Sequence, residues 1–233
     1  MQKELKELKE KVITVDFLTS YSESVSAYLK YCQQVSSDAY NFFNKINQQN
    51  PKQAFVAGHL LMKFQNGVNS IPVGDWLRTV QDIKDSGATT NRQLARSFSQ
   101  IQNDGDKQKE FQRLLFSEVL IKYSSNILIL AEAFKNFSHF QGSVEFSNEA
   151  QNIFGKHIPE IINKAKSIGL ELKYVSLFES WEKYIGQVED NGGERSIAYK
   201  DITNLEKGSI AEIVSFGVKT PPGDDTKTII ILA

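Results

Sequence analysis

Between Leu18 and Ile46, apolar or small residues recur at alternating steps of three and four: Leu18, Tyr21, Val25, Tyr28, Cys32, Val35, Ala39, Phe42 and Ile46. A strand repeats every two residues and a helix every 3.6, so this run excludes a sheet-forming segment and predicts a long helix with one apolar seam. Leu5, Leu8, Val12 and Val15 keep the same spacing, but the step from Val15 to Leu18 is three where four is due. A slip of that kind overwinds the seam locally without ending the helix, so one helix is predicted from about residue 3 to residue 48. Its other positions carry Ser20, Ser22, Ser24, Ser26, Gln33, Gln34, Ser36 and Ser37, with few charges among them. A helix so lightly charged suits a place among neighbours on more than one side.

Asn50-Pro51 offers a cap and a first-turn proline for a second helix through Phe55, Leu60, Leu61, Phe64 and Val68. Gly67, Pro72 and Gly74 then turn the chain, and Asp75 precedes a helical pattern in Trp76, Leu77, Val80 and Ile83, with a break expected near 86–91. Helical spacing resumes at Leu94 and runs to Phe137, giving a second long helix. After the turn Gln141-Gly142-Ser143, a third stretch carries Ile153, Ile158, Ile162, Ala165, Ile168, Leu172, Val175, Phe178, Trp181 and Ile185, with a kink or restart expected at Pro159. Asp190-Asn191-Gly192-Gly193 ends the helical region.

Beyond it the alphabet changes to β-branched residues. Residues 209–216 and 226–232 flank Pro221-Pro222-Gly223-Asp224-Asp225 and predict a β-hairpin. Two strands alone are marginal in water, so the hairpin must lie on the helices, take a third strand from about Ile197 to Ile202, or pair with another chain. The expected fold is therefore mainly α: an elongated bundle of long antiparallel helices over 1–189, followed by a linker and a small C-terminal β-hairpin over 190–233.

The chemistry that such a chain can support is narrow. Lys and Arg number 27 against 28 Asp and Glu, for a net charge of −1, so no bulk field favours nucleic acid and none is expected as a partner. Residues 76–122 mix aromatics with eight Lys or Arg but also six acids, too even a balance for a stacking platform. The single cysteine, Cys32, excludes an internal disulfide and sits on the helical seam as a small hydrophobe. Neither phosphate-cradling glycine pattern occurs, and the HExxH zinc pair is missing too. Placing Gly105 at the sixth position of a calcium loop puts Gln100 first and Phe111 last, where carboxylates belong. His59, His139 and His157 each lie among apolar neighbours and read as packing residues, while Glu189-Asp190 and Asp224-Asp225 read as solvated acids at a helix exit and a turn. No enzyme activity, cofactor or metal is expected.

One segment stands apart. Residues 53–74 hold Lys63 as their only formal charge. They are broken by glycines into pieces too short to span a bilayer as one helix. Either they are a connector buried in the bundle, or they are a surface that enters a membrane or a partner. Leu61 and Phe64 in this segment, and Ile213 and Ile230 in the hairpin, are the candidate interaction residues. The leading expectation is a non-catalytic scaffold that acts through its bundle surface and its hairpin, on a protein partner or on copies of itself. The alternative is a membrane-acting protein with lipid as its partner. In architecture alone, the long bundle with its quiet segment loosely resembles soluble α-helical pore-forming toxins, whose weakly charged tongue folds against the bundle; three long kinked helices resemble BAR-type modules, which curve membranes. The charged start Met1-Gln2-Lys3-Glu4 has no apolar leader, which points to the cytoplasm or to leaderless export.

Overall fold

The computed structural model describes residues 15–69, 120–140, 144–200, 202, 204–220, 223 and 225–233. The expectations for residues before 15 and for 70–119, including the helix after Asp75, the break at 86–91 and the start of the second long helix, lie outside the described residues, as does the turn at 141–143. Within them the chain is mainly helical with small sheets toward its C-terminus.

Helix α1 spans Val15–Gln49. Every seam residue from Val25 to Ile46 is buried. Asn50 ends this helix by donating its amide to the Ile46 carbonyl (2.7 Å) and opens the next by accepting from Ala54 N–H (3.2 Å). Pro51 takes the first helical position, where its missing donor costs nothing. Helix α2, Pro51–Asn69, doubles back along α1, so that a Cβ on Gly58 would lie 3.4 Å from the Phe43 ring.

Helix α3, Ile121–Lys135, and helix α4, Val144–Ser167, complete the packed group. Phe42 is its hub. The rings of Phe134, Phe137, Phe146 and Phe154 stand edge-on around it at 5.6, 5.7, 6.4 and 5.8 Å. Edge-to-face pairs of this kind add about 0.5–1.5 kcal/mol each beyond the area they bury. Contacts between α1 and α4 step in opposite directions along the two helices: Lys45 with Glu149, Asp38 with His157, and Tyr31 under Lys164. Pro159 lies inside α4 without a restart, since buried Phe154, Ile158, Ile161 and Ala165 keep one phase across it.

The helical reading of residues 168–185 is overturned. Helix α4 stops at Ser167 because Gly169 takes φ +90°, Leu170 N–H reaches the Ala165 carbonyl (2.9 Å) and Gly169 N–H reaches that of Lys166 (3.0 Å). These paired bonds form a Schellman end, which favours glycine at the left-handed position. Strand β1, Glu171–Lys173, follows; Trp181–Tyr184 forms a 3₁₀ turn, and strand β2 is Val188–Asp190. The option of a third strand at 197–202 is corrected too. Ile197–Lys200 is a single helical turn, α5, whose Tyr199 is buried against Phe140 with ring centroids 4.9 Å apart.

The two expected hairpin segments become β3, Ile210–Ser215, and β5, Thr228–Leu232, while between them an unexpected strand forms, β4, Gly217–Lys219. Strands β3 and β5 pair antiparallel, with Ile213 opposite Ile230, while β2 adds to β5 in parallel with Glu189 opposite Ile229. The three-stranded order is β2-β5-β3, and β1 pairs with β4 in a separate ribbon. The buried Thr228 hydroxyl joins the two sheets by accepting from Gly217 N–H and donating to the Lys173 carbonyl, both at 2.8 Å. The open edge of β3 is met at its start by residues 178–181, through Phe178 N–H to the Ile210 carbonyl and Ile210 N–H to the Glu179 carbonyl, each 2.9 Å.

Gly217 is the tightest point of this join. A Cβ there would lie 2.5–2.6 Å from the backbone of Thr226, Lys227 and Thr228. Because backbone cannot swing aside, Gly217→Ala is expected to cost about 2–3 kcal/mol, read as a lowered urea midpoint at unchanged slope.

Candidate functional site

The quiet segment and the hairpin meet. Lys63 of α2 pairs with Glu212 of β3, whose side chain is only 3% exposed, and Ser196 N–H donates to the second carboxylate oxygen at 2.6 Å. The ammonium also lies 5.3 Å from the centre of the Tyr199 ring. Burial, then the charges of Glu212 and Glu132, push the Tyr199 hydroxyl far above its ordinary range. The four candidate residues all lie beneath this surface: Leu61 and Phe64 are buried in α2, and Ile213 and Ile230 are buried cross-strand partners.

A second buried carboxylate, Glu132 of α3, has no exposed surface. It accepts from Tyr174 OH (2.6 Å), Asn136 Nδ2 (2.9 Å) and Leu177 N–H (3.0 Å), and Lys135 Nζ stands 3.4 Å away. Burial and this carboxylate raise the Tyr174 hydroxyl well above its usual range, so it remains a donor. The network continues outward. Tyr184 OH accepts from Ser176 N–H (3.2 Å) and donates to Glu179 (2.6 Å), a bond that holds the Glu179 carboxyl below its ordinary value. Phe178, next to the amide that Glu132 holds, is the single non-glycine at positive φ among the described residues, at +65°. Such a backbone costs of order 1 kcal/mol and persists only where its surroundings fix it.

The histidines do not converge. His157 of α4 bridges Tyr31 OH (2.8 Å) and Asp38 Oδ2 (3.0 Å) on α1. Burial, helped by Glu160, pushes the Tyr31 hydroxyl up to about 12, which keeps it protonated and unsuited to act as a nucleophile. His59 lies against Phe55 with its Nδ1 2.9 Å from the Phe55 carbonyl, and the His139 ring rests 4.6 Å from that of Phe178. Burial pushes the Cys32 thiol up to about 12, leaving it an inert part of the seam. Glu189 and Asp190 are on a strand, not at a helix exit; Asp225 pairs with Lys173, while Asp224 and the calcium-like passage at 103–106 lie outside the described residues. Among the described residues no group of three or more His, Cys, Asp or Glu is placed to hold a metal, and no helix is long and apolar enough to cross a membrane.

Among the described residues the large apolar side chains that are half exposed or more are Tyr40, Phe55, Met62, Ile185 and Ile197, and three of these lie on α2 and α5. Phe55 and Met62, two turns apart on α2, are 61% and 50% exposed, and Ile197 of α5, which shares a shallow cleft with Phe55, is 62% exposed. No protein-family model, curated protein or solved structure matches the chain.

Sequence reading singled out Lys63 as a lone charge in an apolar segment but passed over its two counterparts. Glu212 sits within Ile210-Ala211-Glu212-Ile213-Val214 and Glu132 within Leu128-Ile129-Leu130-Ala131-Glu132-Ala133-Phe134. A charge alone in such a run has to be neutralised or saturated with donors, and that signal was available for both.

Two stability experiments test these assignments. Lys63→Met keeps the stem but strands the Glu212 charge, and is expected to cost about 2–3 kcal/mol in chemical denaturation. Adding Glu212→Leu should recover most of that loss, because an apolar pair can replace a buried ion pair. Glu132→Gln turns one acceptor oxygen into a donor facing other donors; a loss of about 2–3 kcal/mol is expected by the same measurement.

Proposed function

We propose that the chain is a non-catalytic helical scaffold that works by contact, with a protein partner or with copies of itself, in the cytoplasm. The exposed apolar stripe of Phe55, Met62 and Ile197 carries this reading. Large apolar side chains grouped on a folded surface mark contact sites, whereas scattered single ones do not. Lys63 supports it, since its bond to Glu212 holds α2 against the sheet while Phe55 and Met62 stay exposed. In this reading the elongated bundle of antiparallel helices is the body and α2 with α5 is the contact face. The C-terminal strands act by holding α2 in place.

The same stripe favours a second reading, contact with a lipid surface. Insertion of residues 53–74 in the manner of a pore-forming tongue requires breaking the Lys63 to Glu212 pair. A BAR-like coat requires a cationic face, which the near-zero net charge does not favour.

The test uses the purified chain, with light scattering after size exclusion and co-sedimentation with dye-loaded anionic vesicles. The wild type is expected to form an assembly of two or more chains, and Phe55→Ser with Ile197→Ser to return it to the single-chain mass of 26.3 kDa with unchanged helical circular dichroism. A wild type of single-chain mass at every concentration removes self-association. Dye release would move the conclusion to insertion, and vesicle binding without release to a coat.

A further inference from the structure

A cleft of about 620 Å³ separates the first turns of α3 from one face of the three-stranded sheet, away from the α2 stripe. Cross-strand register lines Glu189, Ile229 and Ser215 along its sheet wall, one from each strand. Ile121, Lys122 and Asn126 form the helix wall, and Phe216 and Lys227 also line the cleft. The two walls are fixed to each other, since Phe216 N–H donates to the buried Ser125 hydroxyl at 2.8 Å. The volume falls within the range of small-ligand sites, which are mostly apolar with a few polar groups that set orientation.

The polar groups divide into used and unused. Asp225 is engaged by Lys173, and Thr226 Oγ1 by Val218 N–H at 3.0 Å. Among the described residues, the side chains of Lys122, Lys227, Asn126 and Glu189 make neither an ion pair nor a hydrogen bond, although all four residues line the cleft. An occupant that suits this inventory needs an apolar body for Ile121, Phe216 and Ile229, an anion for the two ammonium groups, and an N–H donor for Glu189. An inorganic anion lacks the body. A fatty carboxylate has body and anion but no donor, and would set its charge beside an unpaired carboxylate. The free C-terminal end of an apolar peptide supplies all three, with its terminal carboxylate for Lys122 or Lys227 and a backbone N–H for Glu189.

We infer that this cleft binds the free C-terminus of an apolar peptide segment. It is a second site, independent of the α2 stripe. Charge-assisted bonds to a carboxylate are worth roughly twice a neutral hydrogen bond, so the terminal charge sets most of the selectivity.

Fluorescence polarisation with a labelled tetrapeptide of alanine, valine, leucine and valine tests it, in three arms: free carboxylate, C-terminal amide, and competition by dodecanoate. Saturable binding of the free acid is expected, with amidation weakening it about tenfold or more. Lys122→Gln with Lys227→Gln should weaken it to the same extent at unchanged melting temperature, as both side chains are exposed and unpaired. Phe55→Ser should leave it unchanged, which separates this site from the contact face of α2. Three results would overturn the inference: no saturable binding of the free acid up to about 1 mM, equal binding of the amide, or displacement by dodecanoate at lower concentration than by unlabelled peptide.

Discussion

A carboxylate withdrawn from water must be met by donors or by a cation, and two such carboxylates organise this protein. Glu132 has no exposed surface and gathers a phenol, an amide, a backbone N–H and a nearby ammonium from two stretches of the chain, 135–136 and 174–177. Glu212, nearly as deep, takes Lys63 from α2 and the Ser196 amide from the start of α5. Each lies where a helix meets the C-terminal region, one reaching outward from α3 and the other inward from β3. Apolar packing brings these surfaces together without direction. The carboxylates select one register, because any other leaves a buried charge short of partners.

The helical hairpin was the most legible part of the chain. The seam of α1 is local and redundant, so each residue confirms the next, and Asn50-Pro51 states both an end and a start. The strands at 210–215 and 228–232 were legible for a similar reason, since β-branched runs flank a strong turn. Residues 168–190 misled because Leu172, Val175, Phe178, Trp181 and Ile185 keep helical spacing while serving a ribbon, a strained loop and a 3₁₀ turn. The deciding signal was Gly169 after Lys164 and Lys166, a helix end in which backbone conformation outweighs periodicity. Strand β2 is three residues long and pairs in parallel with a segment almost forty residues away, a contact that no local pattern encodes.

The candidate site was legible in part. Residues 53–74 were singled out for a scarcity of charge, and that scarcity has two causes: one side of α2 is core, carrying Leu61 and Phe64, and another presents Phe55 and Met62 to water. Composition averages over the two faces, so it marks the segment without saying which side chains stand outward. The cleft beside α3 left no trace in the sequence, because Lys122 of α3, Glu189 of β2 and Lys227 just before β5 are far apart along the chain and come to one cleft only when the sheet closes against the helix.

Thr228 draws these parts into one. Its hydroxyl donates to the Lys173 carbonyl of β1 and accepts from Gly217 N–H at the start of β4, both in the ribbon, while its backbone belongs to the three-stranded sheet. A two-stranded ribbon such as β1-β4 is marginal on its own. With Thr226 N–H on the Val218 carbonyl and Asp225 paired to Lys173 beside it, this hydroxyl couples the ribbon to the sheet, so that loosening one strips bonds from the other.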